Sequence, residues 1–284
     1  MRSASAMQGR RSRSYAGIRA RPRTRQRAAE RGRATQASSC EALYLRGVDP
    51  AHAVWIGGPQ ASGKSSIARA LAERFELQLY VVDHRVWVHE PRMPETEFAS
   101  LTMDERWVHA EPERMLEWFV AHSRHRFRLI LEDLRELPDA PAVIVEGPQL
   151  FPRFVSAVIG SPEQALFLRP DLEGMRERLL ARGPMEATSD GVRARENATA
   201  RDVLIARLFE REARELRFST VAVDAPLEVM IERAVAMLAP VVERLPRGGD
   251  LVAVRHYEEE VLQTQVRLYE EWLEAASAAG GMSR

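Results

Sequence analysis

Lysine occurs once in these 284 residues, at position 64, against forty arginines, and it stands in the run Gly58-Pro59-Gln60-Ala61-Ser62-Gly63-Lys64-Ser65-Ser66. The spacing G-x-x-x-x-G-K-S has a specific chemical use. Glycines let the backbone curl around an anion and turn several N–H groups inward, in conformations that a Cβ would obstruct. A helix that starts at the serine aims the positive end of its dipole at the same anion. Lys64 then offers a mobile point charge to the outer phosphates of a polyphosphate, and the Ser65 hydroxyl is placed to ligate Mg²⁺. The arginine bias sharpens the case for Lys64. Where either cation would serve, this chain uses Arg, so the surviving Lys marks a place that needs a compact ammonium and not a planar guanidinium.

Three further positions have chemical potential. Asp83 ends the second apolar run (77–82), and Glu146, followed by Gly147, ends the third (142–145). Arg193, Arg195, Arg201, Arg207 and Arg211 follow the fourth, and Arg201 is the preferred single cation of that group. Asp83 suits either the orientation or deprotonation of an attacking hydroxyl, or a metal-bound water, or a plain strand-end cap. For Glu146 the metal shell is preferred over a helix cap.

These residues need a frame, and the periodicity supplies one. Short apolar runs at 53–57, 77–82, 142–145, 165–168 and 220–223 read as buried parallel strands, and helical patterns separate them. The expected fold is α/β, a doubly wound five-stranded parallel sheet over residues 50–240. Residues 84–141 are too long for a simple crossover and read as a helical insertion suited to an acceptor. Thr102 to Glu105 form a capping box there, and Pro112 fits a first helical turn. The polar stretch 183–201 reads as a mobile lid whose hinge, at Asn197 to Asp202, enters a helix running from Thr199 to Leu216. Another helix is expected over 151–159. Residues 250–276 form an amphipathic helix through Val254, Tyr257, Val261, Val266, Tyr269 and Leu273, to be covered by the main domain or by a second subunit in a homodimer.

The layout resembles the nucleoside- and nucleotide-kinase-like division of P-loop NTPases. Finer segments, Asp104-Glu105-Arg106-Trp107-Val108, Leu131-Glu132-Asp133-Leu134, Glu146-Gly147-Pro148-Gln149-Leu150, Thr188-Ser189-Asp190 and Asn197 to Asp202, resemble actinobacterial proteins described as AAA-family ATPase or kinase-like. The resemblance implies ATP and Mg²⁺ as cofactors, with Lys64, Asp83 and Arg201 catalytic and Ser65 and Glu146 on the metal. It implies transfer of the γ-phosphoryl to a small molecule: a nucleoside, a nucleotide or another hydroxyl compound. A regulatory ATPase that binds protein or nucleic acid, and a nucleotide binder without turnover, stay open as alternatives. A guanine-specific switch is excluded, because its N-K-x-D segment needs a second lysine. Arg85, Arg92, Arg106, Trp107 and Trp118 populate the insertion, although the tryptophans at helical spacing suit a core better than a stacked base. His122 and His125 read as surface histidines.

Composition bounds the rest. No apolar run reaches the eighteen or so residues of a membrane span. One cysteine, Cys40, cannot build a disulfide framework, so a cytoplasmic setting is expected. The net charge of zero divides unevenly: residues 1–40 hold eleven arginines and one acid, Glu30, for +10, leaving −10 for the remainder. Such a tail is expected to be disordered. It suits a nucleic-acid-binding arm, an organellar transit peptide, or a translation start assigned upstream of the true one, the last being preferred; elsewhere no nucleic-acid partner is expected.

Overall fold

The computed structural model describes residues 53–137, 140–248 and 251–278, with side chains over 258–271 in the last stretch. The tail 1–40 and the side chains of Val254, Tyr257 and Leu273 fall outside that description. Five strands form one sheet: β1 (Ala53–Gly57), β2 (Gln78–Val81), β3 (Val143–Gly147), β4 (Ala165–Pro170) and β5 (Ser219–Val223). All pairings are parallel, in the order β2-β3-β1-β4-β5. The chain leaves β1 for β2 on one side and later reaches β4 on the other. The crevice outside the carboxyl end of β1 is therefore a topological switch point, where ligands of open α/β sheets bind.

Alternation along the buried strands divides the core into two layers. Trp55, Tyr80, Val145 and Phe167 point to one face, under Phe127 and Ile130 of α5 (Pro112–Glu136) and Ile205 and Phe209 of α8 (Gly191–Glu215). Val54, Ile56, Ile144 and Leu166 point to the other, under Ile67 and Leu71 of α1 (Lys64–Phe75) and Met230 and Leu238 of α9 (Leu227–Val242). Strands covered on both faces read as continuous apolar runs.

The stretch between β2 and β3 is helical. It holds a 3₁₀ turn (Val82–Arg85), α2 (Val86–His89), a second 3₁₀ turn (Glu90–Arg92), α3 (Glu97–Ser100), α4 (Met103–Trp107) and α5. The Thr102 and Glu105 capping box is formed, and Pro112 opens α5. After β3 come α6 (Pro152–Val155) and, after β4, α7 (Leu172–Leu180). The last helix, α10 (Leu251–Ala278), lies along α2, the first 3₁₀ turn and β2. Among the described residues no helix is long and apolar enough to cross a membrane.

Two expectations are corrected. The helix expected over 151–159 stops at Val155, because Phe151, Val155 and Val158 all reach the core through a short turn-rich return to β4. The lid expected over 183–201 is a loop only as far as Asp190. The Asp190 carboxylate caps α8 by accepting from the Arg193 N–H at 3.0 Å, and Ala194 and Ala198 are buried, so the polar residues 191–201 are the outer face of a helix.

Candidate active site

The phosphate loop occupies the switch point. Gly63 sits at φ 84°, in the left-handed region, while a Cβ there would meet nothing closer than Met230 Cε at 3.8 Å. Conformation, not space, therefore requires this glycine. Ala61 is also left-handed, at φ 57°. α1 begins directly after Gly63 with no capping side chain and no acid in its first turn, which leaves its N–H groups and its dipole for an anion. The Ser62 hydroxyl is buried without a hydrogen-bond partner.

Strand register brings the acids to this loop. Ile56 pairs with Glu146 and Gly57 with Gly147, so Glu146 lies beside the root of the loop. Val81 pairs with the same Glu146 on the other side, which places Asp83 two residues beyond. The approach is tight. A Cβ on Gly147 would lie 2.6 Å from Val82 Cβ, a rigid β-branched neighbour. Gly147→Ala should cost about 1–3 kcal/mol of overpacking strain, measurable by urea denaturation.

Glu146 is 1% exposed and lies within electrostatic reach of the Ser65 hydroxyl and of Lys64, itself 5% exposed. Burial pushes its carboxyl above the usual range, while the Lys64 charge and the Ser65 bond hold it down in part. Its Oε2 has no hydrogen-bond partner. A buried carboxylate oxygen with spare capacity, next to a serine hydroxyl, is a donor set that fits Mg²⁺. That cation keeps several waters and takes one or two protein oxygens, the rest coming from phosphates. Among the described residues there is no cluster of three or more His, Cys, Asp or Glu that would hold a metal unaided. The shift has a stability consequence with a definite sign. A carboxyl whose folded pKa is raised stabilises the fold below its unfolded pKa, and that contribution is lost as pH rises through the folded value. Glu146→Gln is therefore expected to melt at or above the wild-type temperature at neutral pH, with the difference shrinking on acidification.

Asp83 is exposed at the mouth of the site, and its Oδ1 accepts from Gln149 Nε2 at 3.3 Å. The Asp83 charge acts to raise the Glu146 carboxyl, so the two acids lie within electrostatic range of each other. Arg126 of α5, 2% exposed, donates to the Val82 carbonyl at 2.8 Å, and its Nε has no partner.

The remaining expected residues have other commitments. Arg201 lies in the middle of α8, not at a hinge. It donates to Asp202 Oδ1 at 2.7 and 3.0 Å, and its guanidinium lies over the Trp107 and Phe119 rings at 5.0 and 5.5 Å. Burial raises the Asp202 carboxyl, while Arg201, Arg182 and Arg195 lower it, which makes Asp202 the hub of an arginine group. Arg195 also holds the Gly183 carbonyl at 2.7 Å. Arg92 pairs with Glu132 and Asp133, and Arg106 donates to the Ala99 carbonyl. Trp107 and Trp118 both pack on Phe98. His122 is half-buried, not a surface group, and burial beside Arg126 pushes it down to about 4.

Segments that carried the sequence resemblance are largely ties between elements. Asp104 accepts from the Ser189 N–H at 2.8 Å, and Asn197 caps α4 by donating to the Trp107 and Val108 carbonyls. Asp133 gathers Tyr80, His89 and Arg92. Burial alone would raise its carboxyl, yet the bonds from His89 and Tyr80 bring it down to about 2. A separate open groove of about 820 Å³, with Glu113, Arg176, Asn197 and Arg207 on its walls, includes no residue of the loop and neither acid.

Strand order, the loop after β1 and the helix that follows it define an α/β fold with a phosphate loop at its switch point. No family model and no curated protein matches the chain. Solved structures similar to it include a gluconokinase from Sinorhizobium meliloti 1021, 20% identical over 67% of this chain and 93% of that one, with a TM-score of 0.37. A protein of Thermus thermophilus is 25% identical over 68% and 97%, with a TM-score of 0.41. Shikimate kinase from Aquifex aeolicus vf5 is 17% identical over 66% and 97%, with a TM-score of 0.39.

Proposed function

We propose that this chain is a Mg·ATP-dependent phosphotransferase that moves the γ-phosphoryl group to a small-molecule acceptor. The observation that carries the reading is the meeting of two acids in different environments at one phosphate loop. Glu146 is buried on Ser65 and Lys64, and Asp83 is open to whatever enters from solvent.

The loop N–H groups and Lys64 bind and orient the triphosphate, and Ser65 with Glu146 would hold Mg²⁺, which neutralises phosphate charge when bound. Asp83 receives the acceptor hydroxyl and takes its proton as the oxygen bonds to the γ-phosphorus. The bond to the bridging oxygen breaks and ADP leaves.

An acid limb follows from Glu146. Metal ligation needs the anion, so turnover should fall on acidification at a pH above that of an ordinary glutamate. Excess Mg²⁺ should move the limb to lower pH.

The test is ADP release measured against a panel of nucleosides, nucleotides, sugars and hydroxy acids. Release that depends on one acceptor class supports the proposal. Equal release without any acceptor assigns the site to ATP hydrolysis, and tight ATP binding with neither makes the chain a nucleotide binder.

A further inference from the structure

The acceptor-side acid stands on a turn that the sheet cannot stabilise by itself. β2 is an edge strand with β3 as its one neighbour, and it ends at Val81, so the chain enters the turn at 82–85 without further strand pairing. The 3₁₀ turn pairs its own backbone, and side chains add further bonds to its carbonyls in order. The Val81 carbonyl accepts from Arg85 Nη1 at 3.3 Å, the Val82 carbonyl from Arg126 Nη2 at 2.8 Å, and the Asp83 carbonyl from Gln265 Nε2 at 3.4 Å.

Gln265 belongs to α10, 182 residues further along the chain. Its amide has two functional ends, and both are used. While Nε2 reaches the Asp83 carbonyl, Oε1 accepts from the Trp87 N–H at 2.7 Å, so one side chain spans the turn that presents the carboxylate. Two neighbours along the same helix stripe reinforce the grip. The Glu258 carboxylate accepts from Arg85, which is 1% exposed and lies 3.7 Å over the Tyr80 ring. The Tyr269 ring packs on Trp87 at 5.4 Å. Spacings of seven and four residues put Glu258, Gln265 and Tyr269 on one face of a helix. A helix that merely covered apolar surface would need no amide bonded to main chain at both ends.

We propose that α10 is a strap forming part of the acceptor side of the site. Gln265, with Glu258 behind it through Arg85, acts as a positioning residue that fixes Asp83 relative to the phosphate loop. The catalytic part of this inference rests on the phosphotransfer reading; the strap itself does not.

Three variants and a control test it in the full chain. Gln265→Ala removes both bonds. Gln265→Glu keeps an oxygen for the Trp87 N–H but loses the donor to Asp83. Glu258→Gln weakens the hold on Arg85, and Arg267→Ala, on the far face of α10, is the control. Displacing a reacting group by about 1 Å can cost on the order of 10²-fold in rate. We therefore expect kcat to fall by at least about tenfold in both Gln265 variants, with KM for ATP unchanged. Amide hydrogen exchange should speed up across residues 83–89 and stay unchanged across 58–66. Arg267→Ala should match the wild type in both readouts. Unchanged kcat with unchanged exchange at 83–89 would overturn the proposal, as would faster exchange spread evenly over the domain. If the wild type phosphorylates no acceptor, the phosphotransfer reading fails on that arm. The exchange profile then still decides the strap: local speeding supports it, and no change refutes it.

Discussion

Lys64→Ala is expected to lower kcat/KM for ATP by on the order of 10²–10³-fold or more while leaving the fold intact. Lys64 is 5% exposed and its charge reaches Glu146, where burial disfavours the charged carboxylate and Lys64 favours it. Removing the cation lets Glu146 take up a proton, so the folded protein has a way to relieve the unpaired charge that would otherwise destabilise it. The bound triphosphate has no such recourse, because its charge is fixed by the reaction. Lys64→Arg should fail almost as badly. A planar guanidinium has its donors in a rigid fork, and the space bounded by the loop and Glu146 suits a compact, rotatable ammonium. Fluorescent-nucleotide binding and ADP release on both variants, with melting curves as the fold control, check the expectation. Wild-type turnover in Lys64→Ala would remove the phosphate loop from the chemistry.

Asp83→Asn should lower kcat by about 10²–10⁴-fold, the range of a positioned general base, with ATP affinity unchanged. The substitution is close to isosteric and keeps the backbone carbonyl that Gln265 holds. Since Asp83 is exposed, stability should move by no more than about 0.5 kcal/mol. Its Oδ1 contact with Gln149 Nε2 survives through the Asn carbonyl oxygen, so a rate loss would report on the missing charge and proton acceptor. Turnover kinetics and a binding isotherm on the same preparation separate the two quantities. An unchanged kcat would move the proton-accepting role elsewhere.

The sheet was legible because buried parallel strands are apolar without interruption, and the loop because its glycines and lysine carry a constraint on conformation and charge. Glu146 and Asp83 were legible as strand-end acids. Register alone then brings Glu146 opposite Ile56 on one side and Val81 on the other. The start of α8 was hidden by composition. Residues 191–197 are mostly charged or polar, and what makes them helical is the Asp190 cap and the burial of Ala194, neither of which shows in a window average. Arg201 shows the same limit from the other side. Forty arginines make any one of them a weak signal, and the neighbour that defines this one is Asp202. Gln149, Arg126 and Gln265 gave no signal of their own. Arg126 reaches Val82 across 44 residues and Gln265 reaches Asp83 across 182, distances over which local pattern carries no information.

The most direct test of phosphotransfer follows the phosphorus itself. Wild-type protein is incubated with ATP labelled in the γ-position, Mg²⁺ and each acceptor class in turn, and the label is separated into inorganic phosphate and organic product. The account predicts label in an organic product for one acceptor class, absent with Lys64→Ala and strongly reduced with Asp83→Asn. Label found entirely in inorganic phosphate, at a rate no acceptor changes, would contradict it.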